Sequence, residues 1–243
     1  MTRRGSVVRL KTRDRADRAA GATMKTVCRV VLAGIAALAV CAGAPAQDKA
    51  EDVGQGFRAF VIKEPRYPAD DIRNREGKMQ DLVTEHGLNP VIAVFSRVVT
   101  TDAAHPLAAV VKKLDDLAEN KDYKGKRLGT YMVFLALKNE FRKDETRDAR
   151  IREIGQFASG VMPRRTTIAL AEATETPDGT EQPLVPGQVQ KMGIAPEDDI
   201  VIVFYDNFKV VKRWKFKADA PPNEEALKAI EAEVARVLAP KKK

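Results

Sequence analysis

Residues 88–97 read LNPVIAVFSR and contain the strand around which the rest of the chain is predicted to fold. After the turn at Asn89-Pro90 comes a continuous apolar run, Val91–Phe95, which is typical of a strand buried on both faces. Apolar residues then recur at helical spacing over Leu107–Ala118, and a second apolar run covers Leu128–Leu137. The order strand, helix, strand predicts a βαβ unit with two parallel strands.

The connection from the first strand to this helix is polar and irregular. In open α/β sheets, ligands bind beyond the carboxyl ends of the parallel strands. We therefore expect the function at residues 96–105, called here the carboxyl-end edge, with the candidates Ser96, Arg97, Thr100, Thr101, Asp102 and His105.

A secretory leader precedes the domain. A short basic segment, Met24–Arg29, is followed by the uncharged apolar run Val30–Val40 and by Ala44-Pro45-Ala46, a cleavage signature. The apolar run is too short for a membrane-spanning helix. We expect a signal peptide at residues 24–46 and a mature protein, without a transmembrane helix, in the periplasm or outside the cell.

Two alternatives to this leader stay open. Residues 1–23 are rich in arginine and are interpreted as an over-extended gene start or a disordered leader, although Arg3-Arg4 also fits a twin-arginine export signal. Leu38–Cys41 is similar to a lipobox, so a lipoprotein anchored at Cys41 is the alternative location.

Trimming the leader changes both the charge and the chemistry. Residues 1–46 hold nine of the 42 bases and two of the 34 acids, so 33 bases and 32 acids remain, with a net charge of +1. The basic pI thus gives no argument for nucleic-acid binding by the domain. Both cysteines, Cys28 and Cys41, are also in the leader, so the mature chain has no thiol for redox chemistry.

The remaining elements place one domain at residues 57–239, between a flexible lead at 47–56 and a basic tail at 240–243. Before the central unit, the expected elements are a strand at Phe57–Ile62, a surface loop at Lys63–Gly77 and a short helix around Met79, Leu82 and Val83. After it, a helix at Thr146–Ser159, a strand at Thr166–Ala171 and a long loop at Glu172–Val189 are expected. The chain then continues with a strand at Ile200–Tyr205, its antiparallel partner at Phe208–Lys217 and a last helix capped by Asn223. In the central helix, Asp115 and Asp116 are expected to face solvent.

This order of elements resembles the thioredoxin fold, in particular thioredoxin-like and peroxiredoxin-type domains, over roughly Phe57–Leu238. The most specific pieces are Gly87–Arg97, Leu107–Ala118 and Asp199–Val211. The resemblance implies an α/β fold with a central mixed sheet of four to five strands, flanking helices and an antiparallel C-terminal hairpin.

The departures from that resemblance bear on function. A thioredoxin would carry Cys-x-x-Cys between the strand and the helix, and a peroxiredoxin would carry Thr-x-x-Cys with an arginine. This chain has Val98–His105 there, without a cysteine, and Asp198-Asp199 where a thioredoxin would place a cis-proline. We therefore expect a divergent secreted member of the superfamily without thiol oxidoreductase or peroxidase activity, and no cofactor.

The polar candidates have structural interpretations as well. Ser96, Asp102 and His105 could form a relay, but helix capping by Asp102 or His105 is the commoner role of such residues. With His86 and His105 as the only histidines, no metal site is predicted. Near the C-terminus, a candidate patch for an anionic polymer contains Lys209, Arg213, Lys215 and Lys217; lysines on an edge strand also prevent aggregation.

Three functional hypotheses follow. The first is a non-catalytic binding or scaffold domain for an unknown protein or small molecule of the cell envelope. The second is an enzyme that uses non-thiol residues at the carboxyl-end edge, and the third is a weak binder of an anionic polymer.

Overall fold

The computed structural model describes residues 53, 57–123, 127–136, 141–172, 192–195 and 197–238, all within one unit of the chain, Ala46–Lys243. The predicted leader, the flexible lead except Val53, the basic tail and the long loop beyond Glu172 lie outside the described residues.

A seven-stranded mixed sheet forms the centre of this unit, in the order β2-β1-β5-β4-β3-β6-β7. Strand β3 is parallel to β4, β4 is parallel to β5, and the other neighbours are antiparallel. The predicted βαβ unit is therefore confirmed. The strands are β1 (Arg58–Lys63), β2 (Met79–Asp81), β3 (Val91–Ser96), β4 (Gly129–Ala136), β5 (Thr167–Glu172), β6 (Ile200–Asp206) and β7 (Lys209–Phe216).

Helices cover both faces of the sheet. They are α1 (Leu82–His86), α2 (Pro106–Glu119), α3 (Asp144–Val161) and α4 (Glu224–Leu238), with a short 3₁₀ helix at Lys121–Tyr123. The backbone N–H of Ala226 donates to Asn223 Oδ1 at 2.9 Å, which confirms the cap expected for the last helix.

Two apolar layers hold the sheet because successive strand residues point to opposite faces. Ile92 and Val94 of β3 pack with core residues of α2, α3 and α4, whereas Val91, Ala93 and Phe95 pack with α1 and with separate apolar residues such as Phe57 and Met192. All six residues of β3 are buried. The continuous apolar run thus reflects a strand enclosed on both sides, as predicted.

The predicted fold class is confirmed, since a mixed sheet flanked by helices carries the thioredoxin-like order of elements. The predicted strand number was wrong: the sheet has seven strands rather than four to five. One reason is Met79–Asp81, which was expected to begin a helix but pairs with β1 as an edge strand. Met79, Leu82 and Val83 imitate helical spacing, although the helix begins only after Asp81, whose Oδ1 accepts hydrogen bonds from Val83 and Thr84 N–H.

Asp115 was wrongly expected to face solvent. It is 2% exposed, and its carboxylate accepts hydrogen bonds from the backbone N–H groups of Arg164, Arg165 and Thr166 and from the Thr166 hydroxyl. The carboxylate thereby fixes the segment that enters β5 against α2. Asp116, one residue further along, has the exposed position expected of it.

Candidate functional site

The carboxyl-end edge lies where the sequence placed it, directly after β3, but its first side chain faces inward. Ser96 is buried, and its hydroxyl donates to Val98 O at 2.9 Å and accepts from Val98 N–H at 3.1 Å. Both bonds join the hydroxyl to the backbone two residues ahead, as in a local turn. Ser96 therefore stabilises the exit from the strand.

Arg97 connects this edge to the segment before β6. Its backbone N–H donates to Asp199 O at 2.8 Å, its Nε donates to Asp198 O at 2.9 Å, and its Nη2 donates to Ala195 O at 3.2 Å. All three acceptors are backbone carbonyl groups about a hundred residues away in the sequence. Arg97 therefore holds the segment after β3 against the segment before β6.

Thr100, Asp102 and His105 make local hydrogen bonds as well. The Thr100 hydroxyl accepts from Asp102 N–H at 3.0 Å, and Asp102 Oδ1 accepts from Ala104 N–H at 2.8 Å. His105 caps α2, because its Nδ1 accepts from Leu107 N–H at 3.2 Å. The described hydrogen bonds do not join Ser96, Asp102 and His105 into a relay, and Thr101 lies exposed between them.

Three of the four side chains of the candidate anionic-polymer patch contact the segment before β6. Lys215 pairs with Asp198 at 2.8 Å, Lys217 donates to Glu197 O at 2.7 Å, and Arg213 Nε donates to Met192 O. Lys209 is exposed at the start of the strand. Strand β7 is an edge of the sheet, in agreement with the protective role considered for its lysines.

A β-bulge places residues of β7 that have even spacing on different faces of the sheet. Tyr205 pairs with Val210 but Phe204 pairs with Lys212, so Val211 is the extra residue. Val210 consequently packs in the layer that contains α1, whereas Trp214 and Phe216 pack in the other layer.

A pocket of about 640 Å³ lies at the opposite end of the sheet, beside the amino ends of β3, β4 and β5. We call it the amino-end pocket. Its walls come from the loop between β1 and β2 (Arg66, Tyr67, Arg75), the end of α1 (Glu85, His86), the end of α2 with the 3₁₀ helix (Glu119, Lys121, Tyr123) and the entries to β4 and β5 (Arg127, Gly129, Arg165).

An ion-pair network forms one wall of this pocket. Arg66 donates from Nε and Nη2 to the two carboxylate oxygens of Glu64, each at 2.8 Å, and Arg66 also pairs with Glu85. Glu85 pairs in turn with Arg75. Although burial by itself lowers the pKa of Arg66, its bonds to Glu64 and the two carboxylate charges raise that pKa overall.

The prediction of a surface loop at Lys63–Gly77 was wrong at Glu64, whose side chain is buried. Glu64 is 1% exposed and also accepts from the Thr167 hydroxyl of β5. A buried carboxylate needs charged or hydrogen-bonding partners, and Arg66 supplies two.

His86 lies at the floor of the amino-end pocket. It is 6% exposed, stacks on Tyr131 with 5.7 Å between ring centroids, and leaves no room for a side chain at Gly129. Its Nε2 is buried without a hydrogen-bond partner among the described residues. Burial, followed by the positive charges of Arg66 and Arg75, lowers the pKa of His86 to about 3, so the imidazole is neutral at pH 7.

The sequence interpretation did not identify this pocket. The arginines of the β1–β2 loop and the basic residues after α2 are visible as charge, but their spacing matches no motif. His86 had been weighed only as a metal ligand, and within the described residues no three His, Cys, Asp or Glu side chains gather as a metal site. In the same part of the chain, no helix has the length and apolar character needed to cross a bilayer.

Neither a protein-family model nor a curated protein sequence matches this chain. Among solved structures, the exposed lipoprotein thioredoxin Etrx1 of Streptococcus pneumoniae is similar at 14% identity, over 74% of this chain and 98% of that one, with a TM-score of 0.42. AhpC of Mycobacterium bovis is similar at 10% identity, over 80% and 97%, with a TM-score of 0.45.

ScoI of Arabidopsis thaliana, solved with copper bound, is similar at 10% identity, over 76% of this chain and 99% of that one, with a TM-score of 0.39. At these TM-scores the likenesses carry no argument about the family or the activity of the chain, whose own sheet and helices form an α/β fold with a thioredoxin-like order of elements.

Proposed function

We propose that this protein is exported from the cytoplasm and acts by binding a partner or small molecule, without thiol chemistry. The observation that carries the proposal is the position of the cysteines. Both precede residue 42, so the 202 residues that follow, including the whole sheet, contain none. Thiolate is the nucleophile of thiol-disulfide exchange and of thiol-dependent peroxide reduction, so a mature chain cleaved after Ala46 has no group for either reaction.

Geometry supports binding at the amino-end pocket in preference to catalysis at the carboxyl-end edge. At the edge, Ser96, Asp102 and His105 satisfy neighbouring backbone groups. The pocket offers volume, several cations and the side chain of His86, whose buried Nε2 has no hydrogen-bond partner among the described residues. A concave site with convergent polar groups is the usual form of a small-molecule site.

Turnover assays on two forms of the full chain test the absence of thiol chemistry. The variant with Cys28→Ala and Cys41→Ala is compared with wild type in insulin disulfide reduction and in hydroperoxide reduction. We expect neither reaction from the variant. Turnover of either substrate by the cysteine-free chain would refute the proposal, whereas turnover by wild type alone would assign it to the leader cysteines.

Cell fractionation followed by mass spectrometry of the N-terminus tests the location. We expect the protein in the envelope fraction with Gln47 as its first residue. A lipid-modified N-terminus at Cys41, lost in Cys41→Ala, would establish the lipoprotein alternative. An unprocessed chain in the cytoplasm would contradict export.

Affinity capture from an envelope extract addresses the kind of partner. Bait variants at Thr100, Asp102 and His105 are compared with variants at Lys121 and Arg127, so that each end of the sheet is tested separately. A specific protein partner lost only with the first set would place binding at the carboxyl-end edge. Loss only with the second set would place it at the pocket.

A further inference from the structure

We propose that the amino-end pocket binds a small organic molecule through a phosphomonoester dianion. This inference rests on the proposed function, since it names the ligand class of that binding protein. It follows from the charge left over in the pocket, from the donors held there, from an unsatisfied buried histidine and from the pocket's size.

Charge is the first argument. The inner arginines, Arg66 and Arg75, are balanced by the carboxylates of Glu64 and Glu85. The outer cations of the lining are Lys121, Arg127 and Arg165, and they face a single lining carboxylate, Glu119.

That carboxylate is shared. Glu119 Oε1 lies 3.5 Å from Arg165 Nε, and Glu119 Oε2 lies 3.0 Å from Nη1 of Arg164, a residue outside the lining. Lys121 and Arg127 form no ion pair with a described residue. Among the described residues, about two positive charges at the rim thus have no opposite charge beside them, and one dianionic group would balance them.

Arg66 is held in place before any ligand binds. The bonds to Glu64 and Glu85 occupy Nε and Nη2 of Arg66, and its Nη1 donates to no described residue. A guanidinium fixed in this way offers its remaining N–H groups without losing further side-chain freedom on binding. Arginine forks match the oxygens of phosphate, and charge-assisted hydrogen bonds of this kind are the strong ones.

His86 supplies the third and independent argument. A buried ring nitrogen without a partner destabilises the folded chain, because its hydration is lost and no described residue replaces it. An oxyanion that reached His86 would accept a hydrogen bond from Nε2–H. Its negative charge would also offset the field of Arg66 and Arg75, so binding should raise the pKa of His86 above its value in the free protein.

The size of the pocket favours an organic phosphate over the free phosphate ion. A volume of about 640 Å³ is in the range of pockets that hold whole small molecules. Tyr67 and Tyr123 contribute aromatic surface to the lining, against which an organic group can pack.

The test is calorimetric titration of the full chain with phenyl phosphate, inorganic phosphate and phthalate, a carboxylate dianion of similar size. We expect phenyl phosphate to bind at least tenfold more tightly than either of the others. Equal binding of inorganic phosphate would overturn the organic part of the inference, and equal binding of phthalate would overturn the phosphate class. No binding of phenyl phosphate would overturn the inference as a whole.

Variants locate the site. Lys121→Gln with Arg127→Gln removes two exposed cations of the lining, and we expect at least a tenfold loss of affinity for phenyl phosphate. Lys112→Gln with Arg152→Gln removes the same two charge types from exposed positions of α2 and α3 outside the lining, and should leave affinity unchanged. Equal losses from both pairs would show a non-specific charge effect and contradict the site.

Nuclear magnetic resonance of the His86 imidazole adds a readout that a merely structural role would not change. We expect its pKa to rise on adding phenyl phosphate, while the ring resonances of His105, at the other end of the sheet, stay in place. An unchanged His86 pKa at saturating ligand would contradict contact with the pocket floor. Since failure of binding leaves the cysteine-free turnover assay unaffected, the two proposals fail separately.

Discussion

Replacement of Asp115 by asparagine should destabilise the fold strongly, because this side chain fixes the entry to β5. Its Oδ1 accepts from Arg165 N–H at 3.0 Å, from Thr166 N–H at 2.8 Å and from the Thr166 hydroxyl at 2.7 Å, while Oδ2 accepts from Arg164 N–H at 2.6 Å. Asparagine keeps the shape but removes the charge and turns one acceptor into a donor.

The magnitude follows from these bonds. A donor in place of Oδ2 leaves Arg164 N–H without its partner, at about 1–3 kcal/mol. The other three bonds change from charge-assisted to neutral, which weakens each by roughly 1 kcal/mol. We expect the free energy of unfolding to fall by about 4–6 kcal/mol, a large part of the ~5–15 kcal/mol available to a domain.

Urea denaturation followed by Trp214 fluorescence measures this change. The control is Asp116→Asn on the next residue of α2, which removes one exposed ion pair to Arg164 and should alter stability by no more than about 0.5 kcal/mol. If Asp115→Asn lowers the free energy of unfolding by no more than Asp116→Asn does, the conclusion that the Asp115 side chain fixes the entry to β5 is refuted.

Two further predictions concern the floor of the amino-end pocket. The pKa of His86 is lowered from 6.5 to about 3 in the folded chain. Between these two pH values the imidazole is protonated in the unfolded chain but neutral in the folded chain. The free energy of unfolding should therefore decrease by up to about 1.4 kcal/mol for each pH unit as the pH falls through this range. Urea melts at pH 7, 6 and 5 should therefore show a steeper acid loss for wild type than for His86→Gln; parallel losses would contradict the neutral buried histidine. Gly129→Ala should destabilise by about 1–3 kcal/mol, since its Cβ would lie 2.3 Å from His86 Nδ1. Its control is Gly155→Ala inside α3, where the nearest heavy atom is 4.0 Å away and alanine should stabilise by about 0.5–1 kcal/mol; the opposite order in thermal melts would disprove the contact.

Local pattern was sufficient for most elements of the fold. The run Val91–Phe95 and the helical spacing after Leu107 are properties of neighbouring residues, and the structure has β3 and α2 there. The spacing of apolar residues gave the wrong element at one short segment. Met79, Leu82 and Val83 fit a helical spacing, but pairing with β1 makes Met79–Asp81 a strand.

The carboxyl-end edge shows the limit of a topological rule. Its position after β3 was predicted correctly, but topology does not say whether polar side chains there are free. Ser96 and His105 are engaged by backbone groups within two residues. A functional role for this edge stays a prediction, and the capture variants test it.

The enclosed central strand, the elements other than Met79–Asp81 and the lack of cysteine after residue 41 could be predicted from the sequence. Each of these depends on residue type or on periodicity over a few turns. The amino-end pocket, the burial of Asp115 and the bulge in β7 became visible only in the folded chain. Arg66, His86, Arg127 and Arg165 are brought together from segments up to a hundred residues apart by strand pairing, and no local period records which distant groups will meet.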